Sequence, residues 1–189
     1  MTPDGYSQAE RVSERQSLAS VAASRGKLTV FVGTAVFVLL VDLLTKYWVQ
    51  QTLYRYNAVN VLGDYFRLTY IHNPGAAFGL HLGPYSRFIF LTLAFVALGV
   101  LFVMYRHTAP GDKLRLLAIG SIAGGALGNV VDRIRSAEGV IDFLDFGVGS
   151  LRWPVFNVAD TAVTIGAILL LISLWAEDRR REREQSDSA

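Results

Sequence analysis

The chain has 189 residues, carries a formal net charge of +2 at neutral pH and is 52% hydrophobic. Its mean hydropathy of +0.35 is too high for an ordinary soluble domain of this length. It contains no cysteine, which excludes disulfide bonds, thiolate metal sites and cysteine nucleophiles. The composition therefore predicts an integral membrane protein whose chemistry uses oxygen and nitrogen groups.

Four apolar windows are each close to the roughly 20 residues that a helix needs to cross a bilayer. They cover residues 28–49, 88–105, 114–131 and 158–175. The first window is too long for the apolar part of a secretion signal, and no small-residue cleavage pattern follows it, so we expect it to be retained. The windows predict an all-α membrane protein with four transmembrane helices.

Basic residues predict the orientation of these helices, because cytoplasmic segments carry an excess of Lys and Arg. Such residues precede the first window, fill the link between the second and third, and follow the fourth. We therefore expect both termini to be cytoplasmic. Residues 1–27 and 177–189 are interpreted as solvated polar tails, and residues 28–176 as one membrane domain.

The two remaining connections, about 50–87 and 132–156, are expected on the extracytoplasmic side. Aromatic and aliphatic residues between 65 and 71 favour short strands in the first, and residues 140–146 favour an extended segment in the second. We expect a small extracytoplasmic β-sheet on the membrane surface and a short outer loop. Trp153, just before the fourth window, suits the headgroup region.

Polar side chains occur at the ends of three windows, where a buried charge is costly unless it is paired or hydrated. Asp42 and Lys46 are four residues apart and share a helix face, so we expect a structural ion pair. Asn129, Asp132 and Arg133 also share a face. Arg133 could either pair with Asp132 or hold a lipid phosphate.

Asp142 and Asp160 are candidates for acid–base catalysis, because two carboxylates in one site resist ionising together and one then keeps its proton. The structural alternative is that Asp160 caps a helix start and that Asp142 is an ordinary loop acid. Glu138 and Asp145 are rival acids on the same connection, and their spacing does not rank them.

Metal and serine chemistry are not expected. The separation of His72 and His81 matches no metal-ligand motif, and both are assigned to a surface loop. No Gly-x-Ser-x-Gly stretch occurs that would present a serine nucleophile.

Five segments, in this order, closely resemble motifs of the signal peptidase II family of bacterial lipoprotein signal peptidases. They are DLLTK at 42–46, HNPGAAFG at 72–79, GGALGNVVDR at 124–133, GVIDF at 139–143 and FNVADTAVTIG at 156–166. The resemblance extends over about residues 28–175. It implies a four-helix aspartyl peptidase of the bacterial inner membrane, without a cofactor. Such an enzyme cuts diacylglyceryl-modified prolipoproteins immediately before the lipidated cysteine.

Position by position, the resemblance implies that Asp142 and Asp160 form the catalytic dyad. The implied substrate contacts are Asn73, Asn129, Arg133 and Asn157, and the implied supporting residues are Asp42, Lys46, Asp132, Gly75 and Phe78. The outer loop, with Tyr70, Gly75, Phe78 and Gly79, is expected to cover the bound peptide. The expected partners are prolipoproteins and membrane lipids, not nucleic acid, and the expected state is a monomer.

Two functions of other classes compete with a peptidase. A small transporter would need polar residues along a whole path, whereas the inner half of every window is apolar. A lipid-binding scaffold would use Arg133 and Lys46 for headgroups, and it would tolerate the loss of Asp142 or Asp160.

Overall fold

The structure is a computed structural model that describes residues 8–75 and 83–187. It contains the four predicted helices, α1 (Gln8–Thr52), α2 (Ser86–His107), α3 (Lys113–Arg135) and α4 (Val158–Asp187). Each is long and apolar enough to cross a membrane. The chain is a multi-pass membrane protein.

Two of the helices extend beyond the predicted windows. Helix α1 already begins at Gln8, and α4 continues to Asp187. Most side chains in these extensions are exposed, as expected of solvated tails, but their backbone is helical. The reason is that Ala, Glu, Gln and Arg are good helix formers, and a helix that is already nucleated adds further residues at little cost.

The two connections expected outside the membrane form one antiparallel sheet of four strands. The strands are β1 (Ala58–Leu62), β2 (Phe66–Asn73), β3 (Val140–Val148) and β4 (Leu151–Arg152), paired in that order. Strand β2 comes from the first connection and β3 from the second, and Ile71 lies opposite Asp142 in their register. This pairing confirms the predicted small sheet and joins the two connections beside Asp142. The end of the molecule that carries the sheet is called the sheet end below.

The sheet packs on α1 through a small apolar cluster. Val49, Tyr70, Ile141 and Phe143 form its buried core. Tyr70 is only 7% exposed. It is therefore not free to cover a bound peptide, as the sequence analysis expects of it. Phe78, Gly79 and His81, which belong to the same outer loop, lie outside the described residues.

Helix α3 lies at the centre of the bundle because its contact faces are made of small residues. A Cβ added at Gly124 would lie 2.5 Å from the carbonyl oxygen of Ala35 in α1. A Cβ at Gly125 would lie 2.5 Å from the carbonyl oxygen of Ala159 in α4. Small residues at these positions let helix backbones approach closely in lipid. They bring the sheet ends of α1 and α3 together with the start of α4.

Away from the sheet, the bundle is held by an apolar cluster of Ala35, Leu101, Leu116, Ile119 and Ala123. On the outer surface, large apolar side chains remain exposed, such as Phe37 and Leu171, 68% and 67% exposed. Exposed apolar surface on this scale marks contact with lipid rather than water.

The close contact of α3 with α4 can be tested at Gly125. We expect Gly125→Ala to lower the free energy of unfolding by about 1–3 kcal/mol, because the added methyl group forces the two helices apart. Gly99→Ala is the matched control, since a Cβ there meets nothing within 4 Å. Thermal unfolding in detergent would measure both variants, and equal midpoints would contradict the packing described for α3.

Candidate active site

Lys46 lies at the centre of a buried ion cluster at the sheet end. Its Nζ forms ion pairs with Asp42 Oδ2 and with Asp132 Oδ2, each at 2.8 Å. The pair with Asp42 Oδ2 is close but does not have the geometry of a hydrogen bond. Lys46 also donates to Asn129 Oδ1 at 3.0 Å. Lys46 and Asp42 are 2% and 0% exposed, and charges at such depth require this mutual pairing. The ion pair expected between Asp42 and Lys46 is therefore present, and Asp132 of α3 joins it.

Arg133 does not make the ion pair with Asp132 that we had considered. Asp132 faces Lys46 and accepts a hydrogen bond from Ile141 N at 3.2 Å. Neighbouring helix residues point about 100° apart, so Arg133 faces another side. Its guanidinium donates to the carbonyl oxygens of Asn129 and Gly75 at 3.3 and 3.4 Å. Its Nε is buried and has no hydrogen-bond partner within the described residues.

The start of α4 is closed by reciprocal hydrogen bonds between Asn157 and Asp160. Asn157 Oδ1 accepts from Asp160 N at 2.9 Å, and Asp160 Oδ2 accepts from Asn157 N at 3.2 Å. This is a capping-box arrangement, which satisfies amides that a helix start otherwise leaves free. Asp42 of α1 adds a third contact, accepting from Ala159 N at 2.9 Å. Asp160 thus has the structural capping role that was the alternative to catalysis.

The other oxygen of Asp160 faces the middle of the site. Asp160 Oδ1 accepts a hydrogen bond from Asn129 Nδ2 at 2.8 Å. Since Asn129 Oδ1 is held by Lys46, its amide group is fixed between the ion cluster and this carboxyl. Capping therefore uses one oxygen of Asp160 and leaves the other directed at the site.

Asp142 on β3 is held by two amide groups. Asn157 Nδ2 donates to Asp142 Oδ1 at 2.7 Å, and Asn73 Nδ2 donates to Asp142 Oδ2 at 2.9 Å. Asn157 is fully buried and also donates to the carbonyl oxygen of Ile141. Its amide lies behind the two carboxyl groups and does not line the cleft. In this structure Asn157 positions Asp142, and the substrate contact implied for it stays a prediction.

The two carboxyl groups open onto one cleft of about 620 Å³. Its polar lining includes Asn73, Asn129, Arg133, Asp142 and Asp160, which come from β2, α3, β3 and α4. The rest of the lining is mainly apolar and includes Val140, Trp153, Pro154, Val155, Phe156, Val163 and Ile165. The cleft combines an acidic end with a wall suited to hydrocarbon.

This arrangement can be compared with known proteins. A sequence model of the family described as Signal peptidase (SPase) II matches residues 34–176. The chain belongs to the signal peptidase II family.

Individual relatives agree with the family assignment. The chain is 36% identical over 157 residues to the lipoprotein signal peptidase of Syntrophus aciditrophicus (strain SB), covering 82% of this chain and 97% of that protein. It is 43% identical over 152 residues to that of Burkholderia mallei (strain SAVP1), covering 79% and 89%. A solved structure described as a bacterial membrane enzyme superposes with a TM-score of 0.70 at 30% identity, covering 78% of this chain and 88% of that one.

In this member of the signal peptidase II family, the pKa of Asp142 departs strongly from its ordinary value. Burial raises it, and the negative charge of Asp160 raises it further. The hydrogen bonds from Asn73 and Asn157 oppose this shift but do not cancel it, and the result is a pKa of about 7. Asp142 therefore keeps its proton over a pH range in which an ordinary aspartate has lost it.

The rival acids of the same connection do not line the cleft. Burial raises the pKa of Asp145, but hydrogen bonds from Arg152, Thr69 and Arg67 outweigh it and hold that pKa below its usual value. A hydrogen bond from Arg55 lowers the pKa of Glu138, whose side chain is exposed. Both acids are occupied by ion pairs of the sheet, which separates them from Asp142.

Two glycines that sequence reasoning did not single out are needed for the site. A Cβ at Gly128 would collide with the carboxylate of Asp42. Gly139 has φ of +98°, in the region that favours glycine, and a Cβ there would collide with the backbone of Asn73. Both stand in family motifs, GGALGNVVDR and GVIDF, which are the signal that could have identified them.

The remaining predicted residues can be placed briefly. Gly75 N donates to Asn73 Oδ1 at 3.0 Å, so Gly75 fixes the amide that contacts Asp142. Phe78 lies outside the described residues. His72 lies on β2 rather than in a loop. Within residues 8–75 and 83–187, no group of three His, Cys, Asp or Glu side chains could hold a metal ion.

The raised pKa of Asp142 predicts a pH-dependent stability. The pKa of Asp142 is about 7 in the folded protein, against an ordinary value of 3.8. The contribution of this group to the free energy of unfolding is therefore fully present below pH 3.8 and is lost as the pH rises to about 7. The unfolding midpoint of Asp142→Asn, relative to the unchanged protein, should therefore rise between pH 4 and 7 and stay constant above.

Asp145→Asn is the control of opposite sign for this experiment. The pKa of Asp145 is depressed in the fold, so its contribution is present at neutral pH and is lost in acid. The relative midpoint of Asp145→Asn should be constant between pH 5 and 7. A constant relative midpoint for Asp142→Asn over the same range would contradict the shift described for Asp142.

Proposed function

We propose that the chain is an aspartic endopeptidase that removes the signal peptides of lipid-modified prolipoproteins. The observation that carries this proposal is the pair of carboxyl groups, Asp142 and Asp160, at the polar end of one apolar cleft. A pair in which one acid keeps its proton and the other is ionised is the chemistry of aspartic proteases. The names of the relatives from Syntrophus and Burkholderia support the substrate class.

The proposed mechanism divides the two roles of the pair. Asp160, whose Oδ1 faces the cleft region beside Asn129, takes a proton from a water molecule. The water oxygen then attacks the scissile carbonyl carbon, while Asp142 donates its proton to the carbonyl oxygen. When the tetrahedral intermediate collapses, a proton passes from Asp160 to the leaving amine, and the carbonyl returns a proton to Asp142. The pair ends with the protonation that it had at the start.

The positions of the residues around the dyad suggest a role for each of them. Asn73 and Asn129 line the cleft, so they can contact the peptide backbone as well as hold the carboxyl groups. Arg133 also lines the cleft, so its guanidinium can donate to a carbonyl or ester oxygen of the substrate. Asp42, Lys46 and Asp132 lie behind the cleft lining and act as positioning residues.

The lipid anchor of the substrate fits the rest of the cleft. Val163 and Ile165 extend the lining along α4 toward the middle of the bilayer, so acyl chains can lie there while the peptide stays at the surface. The basic residues favour cytoplasmic termini, which supports an extracytoplasmic position for the sheet end and its cleft. Since every catalytic group comes from one chain, we propose that a monomer is active.

The competing functions find less support. A transporter needs a polar path through the bundle, but Leu116 and Ile119 fill the bundle near the start of α3, away from the sheet, and are both 0% exposed. A scaffold that binds lipid has no need of an acid with a raised pKa.

The dyad is tested by replacing each acid with its amide. We expect Asp142→Asn and Asp160→Asn each to lower the turnover of a lipidated lipobox peptide by at least about a hundredfold, because an amide cannot transfer the proton. Asp145→Asn is the matched control on the same strand, and it should keep its turnover per folded molecule. Cleavage would be followed with purified protein in detergent, and near-normal turnover in either dyad variant would refute the assignment.

The role of the lipid anchor is tested by comparing a diacylglyceryl peptide with the bare peptide of the same sequence. Each buried methylene contributes roughly 0.8 kcal/mol, so the acyl chains hold the scissile bond at the depth of Asp142 and Asp160. The bare peptide should be cut far more slowly in the same detergent. Equal rates would contradict depth matching even if both aspartates proved catalytic.

A further inference from the structure

A second cleft, of about 430 Å³, lies on the other side of the ion cluster from the active site. It is bounded by the last turns of α1, the end of α3, and strands β2 and β3. Its lining includes Lys46, Tyr47, Arg55, His72, Arg135 and Glu138. Its volume is within the range of small-molecule sites, and the peptidase mechanism does not use it.

The basic groups around this cleft differ in how far they are neutralised. Lys46 contacts two carboxylates, those of Asp42 and Asp132, and Arg55 forms an ion pair with Glu138. Burial and the nearby charge of Arg55 lower the pKa of His72, which favours its neutral form. Arg135 also lines the cleft, is exposed, and has no ion-pair partner within the described residues. Arg135 is therefore the basic group of this cleft that is open to an anion.

The end of α3 does not oppose an anion at this place. A helix C-terminus carries partial negative charge on its free carbonyl groups. Here Arg87 donates to the carbonyl oxygens of Arg133 and Ile134 at 2.5 and 3.1 Å. Ser136 N donates to the carbonyl oxygen of Asp132 at 2.8 Å. These contacts satisfy the carbonyl groups of Asp132, Arg133 and Ile134, which reduces the negative potential of the helix end beside Arg135.

An apolar stripe leads from the cleft along α1. Leu40, Leu44 and Tyr47 are 52%, 65% and 63% exposed, and their spacing places them on one helix face. Tyr47 also lines the cleft, so the stripe begins at its rim and continues into the membrane-spanning part of the helix. A ligand with a charged head and a long apolar tail matches this combination.

We propose that this second cleft binds the phosphodiester headgroup of a membrane phospholipid, with Arg135 as its main contact and the acyl chains along the α1 stripe. Arginine binds phosphate oxygens through its planar fork of donors, and Arg55 lies in the lining of the same cleft. The bound lipid would rest against Lys46 and Asp132, on the side of the ion cluster away from the substrate. This inference is independent of the proposed peptidase activity.

The test compares ligands that share only part of this chemistry. The full chain is purified in detergent, stripped of lipid, and titrated with phosphatidylglycerol, with diacylglycerol of the same chain length, and with inorganic phosphate. Native mass spectrometry counts the bound molecules. We expect one phosphatidylglycerol to bind at least about tenfold more tightly than diacylglycerol, since hydrogen bonds to charged groups are strong. Inorganic phosphate, which lacks the acyl chains, should not displace it at equal concentration.

The variants assign this binding to the cleft. Arg135→Glu, and more mildly Arg135→Gln, should remove the preference for the phospholipid. Arg106→Glu is the matched control, because it makes the same charge change at an exposed position at the opposite end of the bundle, and it should keep the preference. Equal preference in Arg135→Glu and the unchanged protein, or displacement by inorganic phosphate at equal concentration, would overturn the proposal.

Discussion

The ammonium group of Lys46 is the interaction on which the rest of the site depends. It contacts Asp42 of its own helix and Asp132 and Asn129 of α3. A buried charge at this depth is stable only while its partners remain in place, and removing one of them typically costs about 3–5 kcal/mol. The cluster therefore locks α1 to α3 with a definite register, which apolar packing alone specifies less strictly.

The ion cluster also fixes the orientation of Asp142 and Asp160, the proposed dyad. Asp42 uses its second oxygen to hold Ala159 N at the start of α4, and Asp132 holds Ile141 N on β3. Because Lys46 occupies Asn129 Oδ1, the amide nitrogen of Asn129 is turned toward Asp160. The elements that carry Asp160 and Asp142 are thus positioned by charges that never enter the cleft.

Features that depend on residues close together in the sequence could be predicted. Features that depend on contacts between distant parts of the chain could not. The apolar windows predicted four helices, and the spacing of Asp42 and Lys46 predicted their ion pair. Nothing local indicates that Asp132 rather than Arg133 faces Lys46, since that depends on how α3 is rotated against α1. The burial of Asn157 behind both carboxyl groups and the second cleft likewise arise only when β3 packs against the helices. The family motifs predicted a set of site residues but not which of them line the cleft.

Asp160 is both a member of the proposed dyad and part of the first turn of α4. One oxygen holds the backbone amide of Asn157, and the other faces the active site through Asn129. A helix start fluctuates more readily when its capping bonds weaken. Any ligand that competes for the hydrogen bonds of Asp160 will therefore change how often the beginning of α4 opens. Occupancy of the cleft should then be detectable as altered hydrogen exchange at the amides of Asn157 and Asp160, which makes this turn an internal reporter of binding.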